Sequence, residues 1–308
     1  MSEASQRPGR LGVGIIGAGR VGAVLGCALR SAGHAVVGAS GISQASHDRI
    51  DALLPGVPVL TPQQVVERAE LVLLAVPDDE LAGVVQGLAD VGAWQAGQIA
   101  VHTSGAYGAK VLAPARAVGV IPLAIHPAMT FTGTSLDLSR LEGATFAVTG
   151  PSPVLPIGQA LVVEIGGEPV VIEEESRGLY HAALAHGANH LVVLVAQAAQ
   201  VLSKAGISNP GQALEPLLHA ALEGALRAAD GVSDPIGTLT GPVVRGDAGT
   251  VNKHIETLTE FAVTEQVTDI VDTYRVLGRS ATVRALNQGR ITNGQAQGLL
   301  DAFNKLDA

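Results

Sequence analysis

The sequence contains one cysteine, Cys27, among 308 residues. A single cysteine excludes an intramolecular disulfide and a cysteine-rich metal cluster, and it is typical of a reducing environment. Charged residues make up only 15% of the chain and aromatic residues 3%, whereas 47% of the chain is apolar. A disordered chain needs low hydrophobicity and high charge, so this composition predicts a folded protein. At this length we expect about two domains.

Positive charge is also scarce. The chain has 19 Lys and Arg against 28 Asp and Glu, which gives a formal net charge of −9. An acidic surface repels phosphate backbones, so we expect no nucleic-acid partner. The 38 glycines follow no three-residue period, which excludes a collagen-like chain.

Two apolar windows raise the question of a membrane segment. Arg20 and Arg30 interrupt the first window, 11–42, so it does not predict a signal peptide. The second, 178–203, contains no Asp, Glu, Lys or Arg and is long enough to span a bilayer. Several His, Asn and Gln side chains in it are costly in hydrocarbon. We therefore predict a helix that a second domain or a second subunit buries, and a cytoplasmic protein without a membrane segment.

The first half of the sequence alternates short apolar runs with helical segments. Residues 1–10 are polar and aperiodic, which predicts a flexible tail. Strands are predicted at 12–16, 35–39, 57–60, 71–76, 99–102, 123–125, 145–148 and 169–172, and helices at 21–31 and 81–91. Continuous apolar strands alternating with helices are typical of a parallel sheet with both faces covered. We predict an α/β, Rossmann-like, doubly wound domain over residues 11–175.

The pattern changes after the acidic segment 173–177. The rest of the sequence shows no strand pattern and predicts helices at 179–205, 211–229, 251–262, 265–277 and 294–306. The chain therefore divides near residue 175 into the α/β domain and an all-α C-terminal domain, 176–308.

A glycine-rich motif joins the first strand to the first helix. Gly17, Gly19 and Gly22 form a G-x-G-x-x-G, with Arg20 and Val21 inside it. In this context the three glycines permit a tight turn, the approach of a pyrophosphate and close helix–strand packing. The exposed N–H groups at the helix start then bind the phosphates. The motif predicts a dinucleotide site.

The end of the second strand indicates which dinucleotide binds. NAD-specific domains carry an acid there, which holds the ribose 2′-hydroxyl. This sequence has Ser40 and Ser43 instead, with no acid before Asp48, and Arg20 lies nearby in the glycine loop. Hydroxyl and guanidinium groups suit a 2′-phosphate. We therefore predict NADP (NADPH) as the cofactor.

Three further strand ends are expected to line the same cleft, because ligands bind beyond the carboxyl ends of parallel strands. The residues concerned are Val76, Pro77, Thr103, Ser104 and Gly105, which we assign to cofactor binding, and His126, which we assign to substrate binding.

Together these motifs resemble one family. The resemblance rests on the glycine loop, 75–79 (AVPDD), 102–105 (HTSG), 126–127 (HP), 180–183 (YHAA) and 239–247 (LTGPVVRGD). The chain resembles Rossmann-like proteins with a helical C-terminal domain of unknown function, relatives of ketopantoate reductase, pyrroline-5-carboxylate reductase, 3-hydroxyisobutyrate dehydrogenase and 6-phosphogluconate dehydrogenase. The resemblance implies an N-terminal NAD(P) domain, a helical domain that forms a homodimer, and an active site between them.

The proton donor is harder to assign. Many relatives use a Lys four residues before an Asn on the first long helix of the second domain. If that Asn is Asn189, the earlier position is Ala185, and none of the four lysines lies on this segment. His181 lies eight residues before Asn189, about 80° away around a helix, and histidine titrates near neutral pH. We assign catalysis to His181, with Asn189 orienting a substrate carbonyl; His181 as a polar residue of a buried helix remains an alternative.

The late motif predicts a substrate site. Arg245 has the bidentate geometry that holds a carboxylate, whereas Asp247 or Thr250 is suited to cap the helix that follows. We assign Arg245, Asp247 and Thr250 to substrate binding; a capped turn in which Arg245 pairs with Asp247 is the alternative. His186 and His190 lack the intervening Glu of a metalloprotease helix, so we predict no metal.

These expectations combine into an NADP-dependent oxidoreductase (dehydrogenase or reductase) of a small carboxylated carbonyl compound. Ketopantoate fits, because relatives are linked with pantothenate biosynthesis. Two other interpretations remain open: a dinucleotide-binding sensor or regulatory dimer without turnover, and an oxidoreductase that exchanges hydride between NADP and a deazaflavin.

Overall fold

The computed structural model describes residues 10–231 and 234–305. The predicted tail therefore lies outside the described residues except for Arg10, as does the end of the last predicted helix. The strands are β1 (Gly12–Ile16), β2 (Ala35–Ser40), β3 (Leu71–Leu74), β4 (Ile99–His102), β5 (Ile121–Pro127), β6 (Thr145–Thr149) and β7 (Glu168–Val171).

The helices of the first half are α1 (Arg20–Ser31), α2 (Gln44–Leu53), α3 (Pro62–Arg68), α4 (Asp78–Asp90), α5 (Ala113–Arg116), α6 (Leu136–Arg140) and α7 (Leu155–Glu164). Those that follow are α8 (Arg177–Lys204), α9 (Pro210–Ala229), α10 (Ala248–Glu265), α11 (Asp269–Asn287) and α12 (Asn293–Asn304). Short 3₁₀ helices cover Ala109–Leu112, Ser152–Val154, Glu174–Ser176 and Pro235–Thr238.

The predicted fold class is confirmed. The seven strands form one sheet in the order β2-β1-β3-β4-β5-β6-β7. β3 and β4 are buried along their whole length, as expected when helices cover both faces of a sheet. Apolar side chains from α1 and α7 pack on one face, whereas those from α3 and α4 pack on the other.

One strand pair departs from the predicted parallel sheet. β6 runs antiparallel to β5, and β7 then pairs parallel with β6. The connection from β5 to β6 contains only the five-residue helix α6. The edge of β5 can pair with a strand in either direction, because antiparallel and parallel strands both form a complete ladder of backbone hydrogen bonds.

The predicted strand at 57–60 is also wrong. Only an isolated bridge between Ala39 and Val59 forms there. Pro58 has no N–H to donate, and Val59 is 49% exposed at the edge beyond β2. The neighbouring helices α2 and α3 were not predicted, although Ser43 caps α2 and a Thr61–Gln64 capping box opens α3.

The C-terminal half is helical, as predicted. Val251, Leu299 and Phe303 belong to the core that α10, α11 and α12 share. The predicted helices at 251–262 and 265–277 are longer in the structure. α10 ends at Glu265 because Gln266 takes a left-handed conformation, with φ 56°, and α11 begins at Asp269.

By compactness the chain divides into two units, between Ala188 and Asn189, inside α8. The sheet ends at Val171, near the predicted boundary at 175. The predicted domain limits stay a prediction.

Much of α8 is exposed among the described residues, and the expectation that a second domain or a second subunit buries 178–203 stays a prediction. Leu179 is 77% exposed and Val192 is 69% exposed. Among the described residues, the segment Glu174–Lys204 is long and apolar enough to cross a membrane by length and composition, with a mean hydropathy of 1.3. The described residues therefore leave these apolar side chains of α8 exposed.

Candidate functional site

The parallel strands β1 to β5 place their carboxyl ends at one edge of the sheet. The loops at this edge carry most of the residues that the sequence assigns to a ligand. They are the glycine loop after β1, Ala75–Pro77 after β3 and Thr103–Gly105 after β4; His126 lies near the end of β5. The first unit therefore brings the predicted cofactor residues to a common edge.

The three motif glycines have different surroundings. Gly17 has φ 87°, and a Cβ there would lie 2.6 Å from the carbonyl oxygen of Ala75. A Cβ on Gly22 would lie 2.2 Å from the carbonyl oxygen of Gly17, so this glycine lets α1 pack against the turn. A Cβ on Gly19 would meet nothing within 4 Å. Only at Gly19 does the missing side chain leave open space.

That open space lies at the start of α1. Gly19 is the N-cap of this helix and has no side chain to accept from the first-turn N–H groups, and the first turn contains no acid. The turn itself is fixed, because the N–H groups of Gly17 and Ala18 donate to the carbonyl of Ser40 at 3.1 and 2.8 Å. An uncapped helix N-terminus beside open space fits the pyrophosphate of a dinucleotide.

Two arginines converge beside the glycine loop. A Cβ on Gly133 would lie 2.8 Å from Nε of Arg49 and 2.9 Å from Cγ of Arg20. Within the described part of the chain, no carboxylate oxygen lies within 4.0 Å of either guanidinium. The predicted Ser40 is buried nearby, whereas Ser43 caps α2 by accepting from the N–H of Ser46 at 3.2 Å. Two unpaired cations fit an anionic group at this position.

The loop that meets these arginines was not recognised from the sequence. The fully buried Asp137 carboxylate accepts from the N–H groups of Thr132 and Gly133 at 2.8 and 2.7 Å, and from the Thr132 hydroxyl at 2.9 Å. Burial raises the pKa of Asp137, but these hydrogen bonds outweigh it and leave the pKa lowered. The ionised carboxylate therefore fixes the loop after β5.

The residues assigned after β3 and β4 mostly shape the backbone. The exposed Pro77 is the N-cap of α4, and Val76 lies beside the glycine loop. The hydroxyl of Ser104 accepts from the N–H groups of Ala106 and Tyr107, both at 3.2 Å, while Thr103 donates its N–H to Leu74. Ser104 and Thr103 thus act on a ligand site by fixing the backbone of the loop that lines it.

The side chain of His102, the last residue of β4, holds the loop that follows this strand. Its Nε2 lies 2.9 Å from the carbonyl oxygen of Gly108, and its Nδ1 accepts from the N–H of Ser104 at 3.2 Å. Burial lowers the pKa of His102 to about 4, despite the opposing bond to Gly108. The ring is therefore neutral near pH 7, with its proton on Nε2.

The start of α8 meets the strand ends in a cluster of aromatic and acidic side chains. His181 stacks in a tilted arrangement on His126, with 5.9 Å between the ring centroids. Its Nδ1 lies 4.0 Å from Oδ2 of Asp78, at the start of α4. The hydroxyl of Tyr180 lies 2.8 Å from Nδ1 of His126. Two of the assigned site residues, His126 and His181, are thus brought together. Asp78 and Tyr180, which belong to the quoted motifs but had no assigned role, join them.

Gly105 lies against both histidines. A Cβ on Gly105 would lie 2.9 Å from Nε2 of His126 and 3.1 Å from Cγ of His181. Any other residue here would push the two rings away from the strand ends.

A buried arginine holds α8 on the sheet. The Arg177 guanidinium is 1% exposed and donates to the carbonyl oxygens of Ser104, Ala124 and Ala147 and to the Thr149 hydroxyl, at 2.8 to 3.2 Å. The sequence offered no signal for this role, because Arg177 closes an acidic, surface-like segment.

The other predicted residues lie in the second unit. Asn189 is exposed on α8, and Arg245 is exposed before α10. Asp247 caps α10, accepting from the N–H of Thr250 at 3.0 Å and from its hydroxyl at 2.6 Å. The first of these bonds is the predicted cap, and both carboxylate oxygens of Asp247 are engaged with Thr250. Among the described residues, no group of three His, Cys, Asp or Glu side chains could hold a metal.

The chain matches two family models. Residues 1–127 match a Rossmann-like domain, and residues 144–281 match a domain of unknown function, DUF2520. The chain is a Rossmann-like protein with a DUF2520 domain. The predicted family is thereby confirmed. No curated protein matches the chain.

Solved structures share the fold at low identity. A Bacteroides fragilis protein provisionally assigned as an NADP oxidoreductase is 19% identical, with a TM-score of 0.72 over 89% of this chain and 98% of its own. An imine reductase from Pseudomonas sp. (17%, TM-score 0.62) and an Aspergillus terreus reductive aminase in complex with NADPH (16%, 0.64) each match 96% of this chain and 100% of their own. At these identities the likeness shows the fold.

Proposed function

We propose that this protein is an NADP-dependent oxidoreductase that transfers a hydride between NADPH and a small carboxylated carbonyl compound. The observation that carries the proposal is the open space at Gly19, in front of the uncapped N-terminus of α1. The NADP oxidoreductases among proteins of similar fold support the same reaction class.

Arg20 and Arg49 support NADPH over NADH. Both side chains reach the corner at Gly133 without a carboxylate partner among the described residues, and the strand β2 ends at Ser40 rather than at an acid. Arg49 donates to the carbonyl oxygen of Ala45 at 2.9 Å, and a 2′-phosphate would give both guanidinium groups an anionic acceptor. A ribose 2′-hydroxyl would find no carboxylate acceptor at the end of β2.

His181 is the proton donor in this proposal. When bound, NADPH supplies the hydride that converts a ketone into an alcohol, and one proton must reach the carbonyl oxygen. The His181 ring lies in the strand-end cluster, and the carboxylate of Asp78 lies 4.0 Å from its Nδ1. We keep Asn189 as the residue that orients the substrate carbonyl.

Arg245 is the proposed anchor for a substrate carboxylate. Its side chain is exposed, and the described residues place no carboxylate oxygen within 4.0 Å of its guanidinium. A 2-keto acid would supply one, and ketopantoate is the substrate that we propose to test first. Asp247 and Thr250 then act on the substrate site by fixing the turn that carries Arg245.

We also propose a cytoplasmic homodimer that is formed through the helical domain. Its support is the charge-free face of α8 together with exposed apolar residues on α9, such as Leu217, which is 67% exposed. Within the second unit, an apolar groove of about 570 Å³ lies between α8, α9, α10 and α11. In a homodimer, the second copy of this chain would cover these apolar residues with the same apolar residues of its own helical domain.

The test is a titration with NADPH and with NADH, followed by nicotinamide fluorescence, and then addition of ketopantoate to the NADPH complex. We expect NADPH to bind at least about tenfold more tightly than NADH, a difference of about 1.4 kcal/mol. Arg49→Met should remove this preference and leave NADH binding unchanged. The exposed Arg68→Met on α3 is the matched control.

The outcomes separate the interpretations. Oxidation of NADPH on addition of the keto acid would establish a reductase, and its loss in His181→Ala would support the proton donor. Binding without oxidation would favour the sensor interpretation or another substrate. Failure of both dinucleotides to bind would overturn the proposal.

A further inference from the structure

The two nitrogens of the His126 imidazole have different neighbours. Nδ1 lies 2.8 Å from the Tyr180 hydroxyl, and the two rings meet edge to face, 5.5 Å apart at 86°. The other ring nitrogen, Nε2, lies beside Gly105. Because Gly105 has no side chain, nothing from that position covers Nε2 at the strand-end cleft.

The hydroxyl of Tyr180 bears on which nitrogen of this ring carries the proton. Burial raises the pKa of the Tyr180 phenol, despite the opposing charge of Arg177, so the hydroxyl keeps its proton. Among the described residues, this hydroxyl lies within hydrogen-bond distance of Nδ1 of His126. If the hydroxyl donates to Nδ1, the single proton of the neutral imidazole must be on Nε2.

Arg177 fixes the tyrosine. Arg177 and Tyr180 are three residues apart on α8, so they share a face of the helix. The guanidinium is tied to four oxygens on three strands or their ends, and its Cζ lies 6.0 Å from the centre of the Tyr180 ring. The position of the phenol is therefore set by the sheet that also carries His126.

We propose that Arg177 and Tyr180 are positioning residues that present the Nε2–H of a neutral His126 to the cleft, where it donates a hydrogen bond to the carbonyl oxygen of the substrate. This inference rests on the proposed oxidoreductase function and assigns the roles within it. His126 holds the oxygen, and His181 delivers the proton.

The charges around His126 agree with this role. Burial lowers the pKa of His126 to about 4, with further lowering by Arg177 and His181 and a smaller opposing effect of Asp78. His102, on the adjacent strand, is also neutral near pH 7. A neutral imidazole has one ring N–H and remains a hydrogen-bond donor. His126 therefore keeps its donor near pH 7 although the ring of His181 lies against it.

The first experiment measures the tautomer directly, without cofactor or substrate. The full-length protein is labelled with ¹⁵N-histidine, and the His126 ring signals are identified by their loss in His126→Gln. We expect an unprotonated Nδ1 and a protonated Nε2 that persist from pH 8 to about pH 5, since the pKa is about 4. A protonated Nδ1, or a ring that titrates near its ordinary pKa of 6.5, would overturn the proposal.

Tyr180→Phe tests the positioning residue, because it removes the hydroxyl and keeps the ring. We expect its His126 signals to become a mixture of both tautomers. With NADPH and ketopantoate we expect kcat to fall by about tenfold to a hundredfold, because the donor to the substrate oxygen is no longer fixed. The dissociation constant for NADPH should stay unchanged.

Tyr274→Phe is the matched control. Tyr274 makes an equivalent bond to Nδ1 of His254, at 2.8 Å, in the second unit, and burial raises its pKa in the same way. If Tyr180→Phe leaves the His126 signals as they are in the unmodified protein, Tyr180 does not set the tautomer and the inference is wrong.

The experiments can contradict the proposed function and the proposed role of His126 independently of each other. If NADPH does not bind, the proposed function fails, whereas the tautomer of the ligand-free protein still tests the hydrogen-bond pair. If NADPH is oxidised but Nδ1 of His126 carries the proton, the function stands and the assigned roles are wrong.

Discussion

Arg177 is the residue on which the first turn of α8 depends most. Replacing it with Met keeps the length of the side chain but leaves three buried carbonyl oxygens and the Thr149 hydroxyl without their donor. We expect Arg177→Met to lower the free energy of unfolding by about 3–5 kcal/mol, measured by urea denaturation. Arg140→Met, whose side chain is 57% exposed, serves as control and should cost less than about 1 kcal/mol. An equally small loss for both variants would contradict the role of Arg177.

His102 makes the stability of the protein depend on pH. The folded-state pKa of this buried ring is about 4, whereas its ordinary value is 6.5. Between these two values the unfolded chain binds more protons than the folded one, so the free energy of unfolding falls as the pH falls from 6.5 to 4. His102→Asn should reduce the loss between pH 7 and pH 5 by on the order of 2 kcal/mol. His219→Asn, which removes an exposed histidine from α9, controls for the loss of one histidine; the same pH dependence in both variants would exclude His102 as the cause.

At the scale of the element, two glycines in the turn from β1 into α1 are expected to have different roles. Gly22 permits close packing of the turn, whereas Gly19 leaves space for a ligand. Gly22→Ala would place a Cβ 2.2 Å from a backbone oxygen, so we expect a loss of about 2 kcal/mol or more in thermal unfolding experiments. Gly19→Ala meets open space at an ordinary φ of −74° and should cost at most about 1 kcal/mol. The methyl group would instead occupy the space in front of α1 and weaken NADPH binding by about tenfold or more. Unchanged affinity in Gly19→Ala would show that no phosphate group comes close to this position.

Elements with continuous apolar patterns were predictable from the sequence. β1 and β4 have the predicted limits, and α1 differs by one residue. α2 and α3 were missed because their surfaces are polar and the evidence lies in single capping side chains. The reversal at β6 was missed because an apolar strand has the same residue pattern whether it runs parallel or antiparallel to its neighbour.

The sequence predicted the loops that form the candidate site better than the contacts between its side chains. The glycine loop follows from local spacing, and so does the association of strand ends at one edge. Tyr180, Asp78 and Arg177 were not assigned, because their partners are far away in sequence: 54 residues separate Tyr180 from His126. An arginine after three glutamates has the pattern of a surface segment, and nothing local distinguishes it from a buried one.

At the scale of the whole molecule, the exposed face of α8 predicts association. Val192→Glu would place a carboxylate in the segment 178–203 of this helix, which contains no Asp, Glu, Lys or Arg, and we expect it to shift a dimer to monomers in sedimentation experiments at micromolar concentration. Val91→Glu, after α4 in the first unit, adds the same charge at a valine that is 58% exposed and should leave the dimer intact. A protein without the substitution that sediments only as a monomer would contradict the homodimer.

The hydrogen bonds of Arg177 also bear on how this chain can be divided. The sheet ends at Val171, so a cut at residue 175 would leave all seven strands in one fragment. Such a fragment would lack the guanidinium that joins the ends of β4, β5 and β6, although every strand of the sheet would be present. A fragment that continues to Ala188, where the first compact unit ends, would keep this side chain together with Tyr180 and His181. The first turns of α8 are therefore part of the N-terminal domain, and a gene fusion or a limited proteolysis product should be judged by whether it retains them.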